Sequence, residues 1–230
     1  MKDKALKYLN RNPVLFAGMI NPILRNTAEI LYADEDGILI HEKVSDGYMI
    51  SAPTLKKGQE LLSNIKDCKL IACHEDFLVD YIKNKYRLSQ QLTCYQLVYP
   101  KTIPIPMKDR LRIKELTSTD IPFIMKNYDK LSLEEITKII ELKHLFGGYI
   151  HDTLVGFVGS HLEGSMGLLE IFKEYRGNGY GIELETFMIN RFLEKGLTPF
   201  AQVETDNIIS LNLQKKLGLI PSDTPVYWMF

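Results

Sequence analysis

Six consecutive residues, Arg176-Gly177-Asn178-Gly179-Tyr180-Gly181, are of the types that hold an anion. The apolar run from Leu168 to Phe172 reads as a strand, and the stretch after Gly181 has helical periodicity, so the six residues form a strand-to-helix junction. The first turn of a helix leaves backbone N–H groups unpaired and carries the positive end of the helix dipole. Glycines at 177, 179 and 181 remove side chains that would block a close approach, and Arg176 adds a fixed positive charge. Each feature suits a pyrophosphate. A P-loop is excluded because Gly181 is followed by Ile182 and Glu183 rather than Lys and Ser or Thr. The dinucleotide pattern G-x-G-x-x-G fails as well, since Gly177 and Gly179 would need a glycine where Ile182 stands.

The pattern that fits is Q/R-x-x-G-x-G/A, filled by Arg176, Gly179 and Gly181, and it resembles the acyl-CoA pyrophosphate loop of the GNAT superfamily of N-acyltransferases. A second motif begins 26 residues after Gly181. There Asn207-Ile208-Ile209-Ser210-Leu211-Asn212-Leu213-Gln214-Lys215-Lys216-Leu217-Gly218 is similar to the N-x-x-[AS]-x-x-L-Y-x-K-L-G helix of the same superfamily. The resemblance covers roughly residues 105–230, and its Gly-Leu-Leu approach, Glu-Tyr-Arg-Gly turn and late tryptophan look most like the glycine N-acyltransferase-like branch. It implies that acetyl-CoA is the co-substrate, an acyl donor held without any metal. Its pyrophosphate would meet the amides of Arg176, Gly177, Asn178, Gly179, Tyr180 and Gly181. Its pantetheine arm would bond like an added strand to the backbone of Ile171, Phe172 and Lys173.

Acyl transfer to an amine needs a neutral amine, a stabilised oxyanion and a proton for the departing thiolate. Glu170, on the strand feeding the loop, is the favoured general base, because partial burial there would raise its pKa; Glu204 and His161 are the reserves. A backbone N–H near Ile171 or Phe172 would serve the oxyanion. The superfamily's tyrosine acid falls at Gln214, which has no titratable proton, so either the thiolate leaves unassisted, or it takes a proton from the departing ammonium or water, or another tyrosine, Tyr180 or Tyr227, supplies it. Asn207, Ser210 and Gln214 share one helix face and are taken as pantetheine contacts, with Asn207 also suited to be a cap. The function expected is transfer of an acetyl group to the primary amine of a small molecule. The alternative is a catalytically silent acyl-CoA-binding or regulatory module.

The elements that must position these residues form a mixed α/β (α+β) chain: a GNAT-like, mostly antiparallel sheet flanked by helices. Residues 105–230 are the acyl-CoA-binding domain, following a proline-rich connector, PKTIPIPMKDR. Thr119-Asp120 opens one helix and Ser132-Leu-Glu-Glu, a capping box, opens the next; a hairpin over 146–161 then leads to the loop. In the helix after the loop, Ile182, Leu184, Phe187, Met188, Ile189, Phe192 and Leu193 face the core, opposite Glu183, Asn190, Arg191 and Glu194. Gly196 stops that helix, and Thr205-Asp206 caps the next.

Residues 1–104 read as a non-catalytic α/β domain: two short helices, a three-stranded meander from Ala28 to Ile50, a helix capped by Thr54, then strand, helix and strand to Tyr99. That order echoes the second half without a glycine loop, as a degenerate copy would. Cys73-His74-Glu75-Asp76 lacks a second ligand pair at metal spacing, and an odd set of three cysteines argues against a disulfide framework.

A net charge of -1 gives no field for nucleic acid or an anionic membrane. No run approaches a membrane span and the amino terminus lacks a signal-peptide pattern, so a cytoplasmic location is expected. A small-molecule amine is the expected partner, and a homodimer is compatible with the sequence.

Overall fold

The computed structural model of the protein describes residues 1–128 and 131–230. The first half runs α1 (Lys2–Leu9), α2 (Ala17–Arg25), β1 (Ala28–Asp34), β2 (Gly37–Glu42), β3 (Gly47–Ser51), α3 (Leu55–Leu62), β4 (Ile71–Cys73), α4 (Val79–Tyr86) and β5 (Gln91–Val98). After a single added strand, β6 (Arg112–Glu115), the second half runs α5 (Ile121–Asn127), α6 (Leu133–Glu141), β7 (Leu145–Ile150), β8 (Thr153–Ser160), β9 (Met166–Ile171), α7 (Tyr180–Glu194), β10 (Phe200–Glu204), α8 (Ile208–Lys216) and β11 (Ile220–Met229). Both halves therefore read helix, helix, three strands, helix, strand, helix, strand. The element order expected of a duplicated fold is present.

Packing divides the chain differently from motif. Residues 1–98 and 200–230 form one unit, and residues 99–199 form the other. In the first unit the strand order is β1-β2-β3-β4-β11-β5-β10. Its pairs are antiparallel except β3 with β4, which run parallel. The final strands of the two halves have changed places: β5 lies against β10, while β11 lies against β4.

Alternation along these strands gives the unit two cores. Ile38, Ile40, Met49 and Ala72 point to one face, under Leu9, Phe16, Met19 and Ile23 from α1, α2 and the turn between them. Leu39, Ile50, Ile71 and Cys73 point to the other, under Leu62 and Ile82 of α3 and α4. The Thr54 hydroxyl accepts the Lys57 N–H at 3.2 Å and so starts α3. Asn12 caps the turn before α2, accepting the Leu15 N–H at 3.1 Å.

Where β3 and β4 end side by side, Glu75 stitches them. Its carboxylate accepts the Ser51 hydroxyl at 2.6 Å and the Ala52 N–H at 3.2 Å. The Tyr8 hydroxyl reaches Ser51 Oγ at 2.9 Å. Beside it, His74 Nδ1 lies 3.1 Å from the Ile50 carbonyl, with its ring against Phe16. The Cys-His-Glu-Asp run is thus strand end and helix entry, and Cys68, Cys73 and Cys94 are all buried. Burial pushes the Glu75 carboxyl up to about 7, against the lowering pull of its bonds to Ser51 and Ala52. Burial pushes the His74 imidazole down to about 4.

In the second unit the order is β9-β8-β7-β6, antiparallel throughout. Ile124, Ile136 and Ile139 of α5 and α6 bury one face against Phe157, Leu168 and Phe172. The expected capping box is formed, with Ser132 and Glu135 each bonded to the other's backbone N–H. On the other face Phe187 of α7 meets Phe146 edge-on, with ring centroids 5.1 Å apart. Gly148 lets α7 come close, since a Cβ there would lie 3.0 Å from Leu184 Cδ2.

Candidate functional site

The last strand before the loop is bent. Register slips between Phe157 and Gly159, so Leu168 and Leu169 of β9 together oppose Val158 alone. Leu168 takes up the extra length with φ +53, a left-handed conformation that costs a non-glycine residue roughly 1–2 kcal/mol. Burial of its side chain in the α5–α6 core holds it there. A leucine gives no sign of this in the sequence.

Beyond the bulge, β9 delivers Glu170 and Ile171 to the loop. The Arg176 guanidinium folds back onto both, its Nη2 bonding Glu170 Oε1 and its Nε bonding the Ile171 carbonyl, each at 2.8 Å. The expected base is therefore half-buried in an ion pair. The Phe172 N–H donates to the Val155 carbonyl at 3.0 Å, so it is already spent on β8. Strand alternation turns the polar groups of Ile171 to the opposite edge. Of the two amides considered for the oxyanion, that of Ile171 faces away from β8.

The loop's polarity is lopsided. Asn178 Nδ2 bonds the carbonyls of Tyr175 and Arg176, at 3.1 and 3.3 Å. Arg110 Nη1 and Nη2 bond the carbonyls of Asn178 and Gly179, at 2.8 and 3.2 Å. Among the described residues no N–H from Gly177 to Gly181 donates to another residue. Acceptors are capped and donors are left over, at the start of a 15-residue helix. That is the electrostatic signature of an anion site.

The three glycines differ in why they are glycine. Gly177 and Gly179 have φ of +81 and +80, whereas Gly181 has ordinary helical geometry with 3.6 Å of clearance to the nearest side-chain atom. Only the first two are needed for backbone conformation, which agrees with a pattern that admits alanine at the last position.

The helix that follows departs from its sequence reading at Glu183. Instead of facing solvent opposite the apolar stripe, Glu183 is 3% exposed. Its Oε1 accepts the N–H groups of Arg110 and Leu111 at 2.7 and 2.8 Å, and its Oε2 accepts Arg110 Nε at 3.0 Å. Asn190, two turns on, exchanges bonds of 2.8 Å with the backbone of Ile105. The polar face of α7 thus binds the proline-rich connector. The three prolines signalled a connector but not its anchoring, and Arg110 was not singled out.

Comparison with known proteins bears on this arrangement. Residues 151–229 match the FR47-like protein family model. A GNAT-family acetyltransferase from Colwellia psychrerythraea is similar over 98% of this chain and 97% of its own, with TM-score 0.53 and 16% identity. A GCN5-related N-acetyltransferase-like protein from Streptococcus suis is similar over 98% and 100%, with TM-score 0.55 and 14% identity. A Drosophila protein is similar over 84% and 74%, with TM-score 0.63 and 14% identity. The fold is a GNAT fold. No curated protein matches the chain.

In this GNAT fold the second motif lies on α8. Asn207 is its cap, with the side chain accepting the Ser210 N–H at 3.1 Å, so the capping expected of Thr205-Asp206 falls to Asn207. Ser210 is half-buried and Gln214 is buried, 3% exposed. Of the reserves, Glu204 is exposed and His161 packs its ring over Gly167 at the β8–β9 turn. Tyr180 lies under the Arg110 guanidinium, 5.4 Å from ring centroid to Cζ. Burial raises the pKa of the Tyr227 phenol, which makes it a poorer proton donor. Among the described residues no helix is long and apolar enough to cross a membrane, and no group of three potential metal ligands occurs.

Proposed function

We propose that the protein is an acyl-CoA-dependent N-acyltransferase that moves an acetyl group from acetyl-CoA to the primary amine of a small molecule. Residues 105–230 carry the acyl-CoA-binding machinery, in the manner of the glycine N-acyltransferase-like branch. The observation that supports this most directly is the loop at the tip of α7, where side chains hold the carbonyls of Arg176, Asn178 and Gly179 while the amides of Gly177 to Gly181 are unspent. There the coenzyme diphosphate takes the amides of Gly177 to Gly181. Arg176 exchanges its carboxylate partner for phosphate, and Glu170 is released to accept a proton from the incoming amine. The amine nitrogen then attacks the thioester carbon, the Ile171 N–H stabilises the oxyanion, and the thiolate leaves with a proton from the ammonium just formed.

A silent acyl-CoA-binding module is the second reading, favoured by a buried glutamine where the superfamily's acid stands. Calorimetry with acetyl-CoA, followed by acetylation assays over a panel of amines, separates the two. Wild-type protein should bind, and Gly179→Pro, which cannot adopt φ +80, should lose binding. Binding without turnover of any amine selects the silent module, and failure to bind acetyl-CoA rejects both readings. Where turnover occurs, Glu170→Gln should depress the rate chiefly at neutral pH; an unchanged pH profile removes Glu170 as base.

A further inference from the structure

We infer that Arg110 is the positioning residue of the diphosphate loop, an inference that rests on the reading above. Arg110 ends the connector just before β6, far in sequence from the loop, yet two of its three guanidinium nitrogens converge on it. Nη1 and Nη2 hold the carbonyls of Asn178 and Gly179, and the guanidinium plane covers the ring of Tyr180. Nε and the backbone N–H are both held by Glu183, in the first turn of α7. A planar fork can span two carbonyls while its third nitrogen is fixed elsewhere, and lysine cannot do this.

The consequence is a backbone orientation. A peptide unit is rigid, so a carbonyl drawn towards Arg110 turns the N–H of the following residue the other way. The peptides whose carbonyls Arg110 holds carry the N–H groups of Gly179 and Tyr180. Those amides are thus pointed outward before any ligand arrives, and the ordering cost is met in the free protein. Glu183 completes the device. Buried and negative, it would oppose an anion at the helix tip, and the arginine it holds neutralises it while leaving the loop's amides unspent.

The test uses the full chain with Arg110→Met, which keeps the aliphatic stem, and Arg110→Lys, which keeps the charge and is the safer variant for folding. Two charge-assisted hydrogen bonds lost from a support predict CoA binding weaker by about tenfold or more in both variants. In the unliganded protein the amide NMR signals of Gly179 and Tyr180 should shift. S-acetylpantetheine, which has no diphosphate, should bind wild type and variants alike. Equal CoA affinity in wild type and both variants overturns the inference and leaves the proposed function standing. Equal loss of CoA and S-acetylpantetheine shows general damage rather than positioning and also overturns it. A wild type that does not bind CoA overturns the function and the inference together.

Discussion

Gly177, Gly179 and Gly181 look equivalent as letters, but the backbone separates them. Alanine at 177 or 179 must enter a left-handed conformation, costing about 1 kcal/mol each and disturbing the amides, whereas alanine at 181 meets only ordinary contacts. Gly181→Ala should therefore keep near wild-type stability and acetyl-CoA affinity, while Gly177→Ala and Gly179→Ala lose both, as urea denaturation and calorimetry would show. Three equal responses would contradict this. The glycines were legible because sterics act on single residues. Leu168 was not, because its left-handed conformation is imposed by the bulge and the core around it. Glu183 was misread for a similar reason: helical periodicity marks it as polar but cannot reveal that the end of a connector 73 residues away covers it.

At the scale of elements, caps and alternation were read nearly to the residue, as Thr54, Ser132 and the strands from Ala28 to Ile50 show. The pairing of β3 with β4 was not. At the end of that pair Glu75 occupies the Ala52 amide, in the half that has no glycine loop. This stitch has a pH signature. The folded state raises the Glu75 pKa from 4.5 to about 7, so it binds more protons than the unfolded chain in that window, and stability falls as pH rises through it. His74 acts oppositely: lowered from 6.5 to about 4, it costs stability as pH falls through that range. In wild type the two slopes largely cancel between 4.5 and 6.5. Glu75→Gln should unmask the His74 slope and raise stability above pH 7 by up to about 3 kcal/mol, measured by urea midpoints against pH. Coincident profiles for variant and wild type would refute the role given to Glu75.

For the whole molecule, the exchanged strands matter most. The resemblance places a boundary near residue 104, yet β5 lies between β10 and β11 and satisfies the ladder groups of both. A fragment of residues 105–230 would leave β11 without a partner on either edge and β10 without β5. It should self-associate or precipitate, and light scattering should find no monomer that melts cooperatively. A stable monomeric fragment would show that the exchange is dispensable. The sequence hid this arrangement because nothing in the composition of β5 or β11 says which penultimate strand each will join.

The same interleaving sets a timetable for synthesis. Residues 99–199 are continuous and can collapse as soon as they clear the ribosome, but the Gln96–Ser222 contact closes a span of 126 residues. The amino-terminal sheet, although made first, must wait with a vacant slot until β11 arrives. Residues 1–98 thus belong to the later-completed body, and the nascent chain is most vulnerable to aggregation during that interval.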